Sequence, residues 1–194
     1  MADVYENPAE LKERTFCMII RKILYDQITV DLFSDFHRHQ QVTKCWRKID
    51  GQWIIIDNPF VEEWTDENYQ YLVKCLKNTL ATGGMVYGAF ENEKLKGFAS
   101  VESELFGSRK QYLELSCIHV SEDMRRRGTG RALMEAAKRW AGSHGAEKLY
   151  ISAHSSVESQ AFYQAAGCRE AEEYSRIHVE KEPCDCQLEV ECCI

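Results

Sequence analysis

The apolar and polar positions divide the chain into alternating runs and helical periods. Phe16 to Ile23 is β-rich and predicts a first strand. Val30, Phe33 and Phe36 fall at helical spacing, so Thr29 to Gln40 predicts a helix. Lys44 to Ile56 reads as two short strands around Asp50-Gly51, a dipeptide suited to a tight hairpin turn. Thr65-x-x-Asn68, with Asp66 and Glu67, opens the next helix. Its inner face is Tyr69, Leu72, Val73, Leu76 and Leu80, and Gly83-Gly84 ends it. Met85 to Phe90 and Leu95 to Leu105 form another hairpin, turning at Asn92, and Gln111 to Val120 is a long strand. Arg131 to Gly142 is a helix with Leu133, Ala136, Ala137 and Trp140 inward. Lys148 to Ala153 is a short buried strand. Ser156 to Ala166 is a helix facing inward through Ala161, Phe162 and Ala165, stopped by Gly167. Glu173 to Glu180 and Asp185 to Val190 read as closing strands, separated by Pro183.

Hairpins followed by strand–helix–strand–helix–strand define an α/β (α+β) chain, a mixed sheet with helices on both faces. The passage from Val120 through a helix to Leu149 predicts a parallel crossover. There is no internal repeat. The expected organisation is a polar N-terminal tail, residues 1–15, helical from Pro8 onward, and then one domain over residues 16–194.

At 44% hydrophobic and 28% charged residues the chain can build a core. A formal net charge of −7 speaks against nucleic acid as a partner and would suit a cationic substrate. No apolar run approaches the roughly 20 residues of a membrane span, so no membrane partner is expected. Met1 to Arg14 is polar and acidic, unlike a secretory leader. The nine cysteines, odd in number and scattered, are then expected as reduced thiols in a cytoplasmic protein. Cys17, Cys45, Cys75 and Cys117 sit in apolar segments. Cys184-x-Cys186 and Cys192-Cys193 lack the C-x₂-C spacing of common zinc sites, and no metal is expected.

One stretch departs from the acidic background: Arg125-Arg126-Arg127-Gly128-Thr129-Gly130-Arg131. It lies between a strand and a helix start. Glycines permit unusual backbone angles, and free amides at a helix N-terminus carry partial positive charge. Arginines add forked donors. Such a loop suits a phosphate or pyrophosphate.

These residues resemble the GNAT superfamily of acyl-CoA-dependent N-acyltransferases. Its hallmark, Gln or Arg, two residues, Gly, one residue, Gly or Ala, stands here as Arg125-x-x-Gly128-x-Gly130, with aliphatic Val120 five residues earlier. The last-helix block is matched at Phe162, Tyr163 and Gly167. It departs at Ser156, Ser159 and Cys168, where Asn, Ala and Phe are usual. The similarity is good over about Met85 to Arg169 and looser elsewhere. It implies a mixed, centrally splayed sheet with acetyl-CoA as donor. The amides of Arg126, Arg127, Gly128, Thr129, Gly130 and Arg131, with Arg125, would take the pyrophosphate. Ile118, His119 and Val120 would border the pantetheine arm, and Ser156, Ser159 and Phe162 would complete the cofactor site. Homodimers are common in the superfamily, and Asp185 to Val190 would be a strand able to pair across one.

The chemistry implied is attack of a neutral amine on a thioester. Tyr163 occupies the superfamily's general-acid position; the competing role is a core tyrosine beside Phe162. Glu114 is the first candidate base, six residues before Val120, where lysine-acetylating members place a glutamate. The competing role is a solvated edge residue. Strict alternation puts Glu114 on one face with Tyr112, Ser116 and Ile118. Glu102 and Glu104 could act through water, and His119 or His154 could relay a proton. A backbone amide near Ile118 would serve the carbonyl oxygen. Trp46, Trp53, Trp64 and Glu102 are candidate substrate contacts; Trp46 and Trp53 could equally pack on each other. The expected activity is acetyl transfer to a primary amine, first a small cationic molecule resembling an aminoglycoside or polyamine. The alternatives are a protein lysine or N-terminus as acceptor, and a non-catalytic CoA-binding sensor or interaction module.

Overall fold

The computed structural model describes residues 18–192. The expected tail, its helix from Pro8, Phe16, Cys17 and Cys193 lie outside the described residues. The elements run β1 (Ile19–Lys22), β2 (His39–Ile49), β3 (Gln52–Glu63), α1 (Asp66–Ala81), β4 (Met85–Glu91), β5 (Lys94–Val101) and β6 (Tyr112–Val120). They continue α2 (Thr129–Ser143), β7 (Lys148–Ala153), α3 (Val157–Ala165), β8 (Arg169–Glu170), α4 (Arg176–Lys181) and β9 (Cys186–Glu191). Seven strands form one sheet in the order β1-β4-β5-β6-β7-β9-β8, and β2-β3 is a separate two-stranded ribbon. Among the described residues no helix is long and apolar enough to cross a membrane.

The expected parallel contact is present. β6 and β7 pair in parallel, but only at Tyr112, Leu113 and Glu114 against Lys148, Leu149 and Tyr150. Beyond Glu114 the two strands part, which gives the splayed sheet its open seam. On one face, Leu133, Met134, Ala137 and Trp140 of α2 bury against Leu113, Leu115, Leu149 and Ile151. On the other, Leu72 and Leu76 of α1 join Phe33, Phe36, Val86 and Phe98. The α1 start is a reciprocal cap. The Thr65 amide donates to Asn68 Oδ1 at 2.8 Å, as the Thr65-x-x-Asn68 spacing predicts.

Five local expectations change. The segment 29–40 is not an α-helix: it makes a 3-10 turn at Val30–Phe33 and enters β2 at His39. Phe33, which ends that turn, and Phe36, which lies beyond it, are buried all the same, whereas Val30, expected on the same face, is exposed. The β2–β3 ribbon is far longer than Lys44 to Ile56, since Pro59 falls at its bulge, beside the register shift between Val42 and Lys44, and need not donate. Glu173 to Glu180 is no strand: Arg176–Lys181 is the short helix α4, with Arg176 Nε 2.6 Å from Glu180 one turn on. Finally, β9 is not a free outer strand: it lies between β7, paired along its length, and the two-residue β8, paired at Leu188 and Glu189. In α3, Ala161 and Ala165 are exposed; Gln160 is buried instead, held to the His154 carbonyl at 2.9 Å.

The ribbon is anchored at both ends. Near its base Cys45 bridges Ser156, and the Trp46 amide donates to the Ser155 carbonyl at 2.8 Å. Near its tip Glu170 accepts from Lys48 Nζ, Tyr174 Oη and, at 2.9 Å, Trp53 Nε1. Partial burial opposes ionisation of Glu170, but these three donors win and hold its carboxyl down at about 2. A carboxylate whose folded value lies below its unfolded value of about 4.3 stabilises the fold at higher pH and loses that contribution as it protonates. Glu170→Gln should therefore lower the melting temperature by a few degrees at pH 6. The gap between parent and variant should close as pH falls from about 4.3 to about 2, read by calorimetry across that window.

Candidate active site

The basic loop folds as the helix entry its sequence suggests. Gly128 is the N-cap of α2 at φ +82, and Arg126 also takes a left-handed angle. No side chain caps α2 and no acid stands in its first turn. Its leading amides are therefore without side-chain acceptors, in the field of the helix dipole. The two glycines do different work. A Cβ on Gly128 would meet nothing within 4 Å, so its requirement is the backbone angle. A Cβ on Gly130 would lie 2.9 Å from Phe162 Cε2, so its requirement is room for the α3 ring.

The arginines also divide. Arg126 and Arg131 are exposed, Arg127 Nη1 lies 3.6 Å from Glu91, and Arg125 turns inward to the His39 carbonyl. That contact ties the loop to the start of β2. From there Arg38 Nη1 donates to Gln40 Oε1 at 3.1 Å, and Gln40 Nε2 to Ser156 Oγ at 3.2 Å. Arg38, Gln40 and Cys45 thus carry β2 from the β6 side of the open seam to its β7 side. Ser156 is fully buried, caps α3 through the Ser159 amide and donates to Ser159 Oγ at 2.8 Å.

Arg38 was not singled out by sequence. Its side chain is 8% exposed and paired with Glu62 at 2.5 Å, with Trp64 beneath the guanidinium. Burial pulls its pKa down, but an arginine keeps its charge at any physiological pH. Its Nε is buried without a partner among the described residues. An orphaned buried donor costs stability unless a ligand oxygen takes it. Arg38 also acts electrostatically on Tyr163 and His119, which places it among the central groups of the seam.

A bulge decides which side chains share a face. Ser100 pairs Cys117 and Val101 pairs Leu115, so Ser116 has no opposite number. Leu113 and Leu115 consequently pack on the same side as Ile118 and Val120. Glu114 falls with Cys117 and His119, not with Ile118 as strict alternation predicts. On this second face Glu102 Oε1 accepts from Thr79 and Ser116, each at 2.7 Å, and Glu114 Oε1 meets His178 Nε2 at 2.9 Å. Among the described residues Glu104 has no such contact.

His119 packs edge-on to Trp64, ring centroids 4.8 Å apart, and against Phe98. Burial, reinforced by Arg38 and Arg125, pushes its imidazole down to about 3. It is neutral near pH 7 and does not titrate there. His154 is elsewhere, beside Phe60 of the ribbon. Burial pushes the Cys117 thiol up to about 12, so it is no nucleophile at neutral pH. Tyr163 packs beside Phe162, and burial raises its phenol while Arg38 opposes the rise. It therefore remains a proton donor throughout the range in which a thiol ionises.

The candidate aromatics separate. Trp46 and Trp53 line a cleft of about 250 Å³ with Gln160, Cys168 and Leu188, on the ribbon side of α3. Trp64 lines a different cavity of about 280 Å³ with Phe33, Arg38, Glu63, Asp66 and Tyr69.

The profile of the acetyltransferase (GNAT) family matches residues 49–168, and the chain belongs to that family. Its reaction class is therefore acetyl transfer. Among solved structures, a nourseothricin acetyltransferase is similar at 15% identity and TM-score 0.66, covering 91% of this chain and 99% of its own. The PaiA N-acetyltransferase of Thermoplasma acidophilum, in complex with coenzyme A, is similar at 11% identity and TM-score 0.55, covering 90% and 99%. The ribosomal-protein-S18-alanine N-acetyltransferase of Escherichia coli is similar at 13% and 0.55, covering 92% and 96%. At these identities the likeness is one of fold. None of the curated proteins matches the chain.

The two loop glycines should fail differently. Gly130→Ala should cost about 1–3 kcal/mol by overpacking against Phe162. Gly128→Asn, which tolerates the left-handed angle, should cost less than about 1 kcal/mol. Thermal unfolding of the two variants checks the order; equal losses would show that Phe162 does not depend on the missing Cβ.

Proposed function

We propose that the protein transfers acetyl from acetyl-CoA to the primary amine of a small cationic molecule. Four features of the chain suit the donor: the uncapped α2 entry, the open space over Gly128, the parted strands β6 and β7, and the orphaned Arg38 Nε. The loop amides from Arg126 to Arg131 would hold the pyrophosphate, and Ile118 to Val120 would border the arm. Acetyl-CoA supplies the acetyl group as an activated thioester.

The chain's own part is proton management. An unperturbed amine of pKa about 10.4 is neutral in only about one molecule in two thousand at pH 7, a cost of about 4–5 kcal/mol. Glu114, with one oxygen tied to His178, has the other available to take a proton from the acceptor amine. Tyr163 gives a proton to the departing thiolate.

The observation that carries the acceptor reading is the half-open cavity lined by Trp64, whose ring packs on His119. Its volume, about 280 Å³, suits a small molecule, not an extended peptide. Trp64, Tyr69 and Phe33 offer aromatic faces, with Glu63 and Asp66 at hand, a setting for an ammonium group. Arg38 does not oppose this, since Glu62 balances its charge.

The test is acetyl-CoA consumption against polyamines, aminoglycosides, free lysine and peptides. Small cationic amines should turn over, and Tyr163→Phe and Glu114→Gln should each lower kcat by about 10²-fold or more. Turnover of peptides with none of small amines would overturn the acceptor reading.

A further inference from the structure

We infer that His178 is the positioning residue for the base. This rests on the reading of Glu114 as the group that deprotonates the acceptor. The chain of contacts is Ser175 Oγ, 2.6 Å to His178 Nδ1, then His178 Nε2, 2.9 Å to Glu114 Oε1. An ionised carboxylate only accepts, so Nε2 carries the proton and donates to Glu114. In the neutral ring that leaves Nδ1 to accept the Ser175 hydroxyl. The tautomer is thus set from both ends.

The ring is also fixed sterically. It stacks on Phe106 at 6.1 Å and leans on Tyr150 at 5.3 Å, with 17% of the side chain exposed. Tyr150 Oη accepts from the Ser175 amide at 2.9 Å and donates to Gln187 of β9. The first turn of α4 is therefore bolted to β7 and β9, and His178 is carried over β6 from outside. Its partner Glu114 is the last β6 residue paired with β7. One carboxylate oxygen is held at the opening of the seam, and the second is left for the amine. Glu102 is tied differently, through the neutral hydroxyls of Thr79 and Ser116. Glu114 alone of the two has a ring that is itself held in place.

Two measurements test this. In protein carrying ¹⁵N-histidine, the His178 nitrogens should report an Nε2–H, and Glu114→Gln should shift that signal. A His178 Nε2 that carries no proton would overturn the inference without any acceptor being needed. The second measurement uses whichever of spermidine, tobramycin or lysine consumes acetyl-CoA fastest. His178→Leu should lower kcat by about 10- to 100-fold, the scale of a misplaced catalytic group, with KM for acetyl-CoA unchanged. His178→Gln keeps a side-chain N–H donor and should recover most of that loss, which a merely structural histidine would not require. In the Glu114→Gln background, His178→Leu should add little. If the two losses multiply instead, His178 does not act through Glu114 and the inference fails, while Glu114 stands as the base. If Glu114→Gln alone is fully active, the reading of the base fails and the inference falls with it.

Discussion

The parting of β6 from β7 after Glu114 is the constraint on which the rest of the molecule depends. Strands of a sheet normally satisfy their backbone groups on both sides. Here three paired positions hold the strands together, and then one lip of β6 is released. Everything placed near that lip compensates for the release or exploits it. The ribbon β2 crosses from Arg125 to Ser156, and α2 and α3 come together at Gly130 and Phe162. The acids Glu102 and Glu114 sit on the face towards α1 and α4. The seam is a gap in hydrogen bonding that the fold keeps open by bracing its surroundings.

The bulge at Ser116 is the second decision, and it acts on chemistry through geometry. One unpaired residue puts Glu114, Cys117 and His119 on one face and leaves Ile118 and Val120 on the other. Without it, Glu114 would share its side with Ile118 and Val120. The same bulge turns the Ser116 hydroxyl towards Glu102 and Ser100. The cost of interrupting the ladder is offset by a short polar chain.

The α2 entry and the cap of α1 were legible because each is written in a few adjacent residues, Gly128 with its neighbours and Thr65 with Asn68, and the parallel crossover followed from the order of the elements. The bulge was not legible, since counting by two cannot detect an inserted residue in an apolar run. The segment at 29–40 misled because Val30 and Phe33, three apart, fit a 3-10 turn as well as an α-helix. In α4, Ile177, His178 and Val179 alternate as a strand would, and only the Arg176–Glu180 spacing spoke for a helix. His178 went unnoticed for that reason. Arg38 lay hidden between two histidines, its role created by a ribbon that folds back from afar.

The contact between Gly130 and Phe162 has a consequence for measurement of length. The loop proposed to bind the anion leads into α2, and the Tyr163 phenol belongs to α3, one residue beyond the ring that a Cβ on Gly130 would meet. Because α2 meets the Phe162 ring of α3 at a residue with no side chain, the distance from loop to phenol is not adjustable by either element alone. The pair works as a gauge block. In the proposed reading, a molecule lying between the two ends would be compared with that span, and selection for its length would come from the junction of two helices.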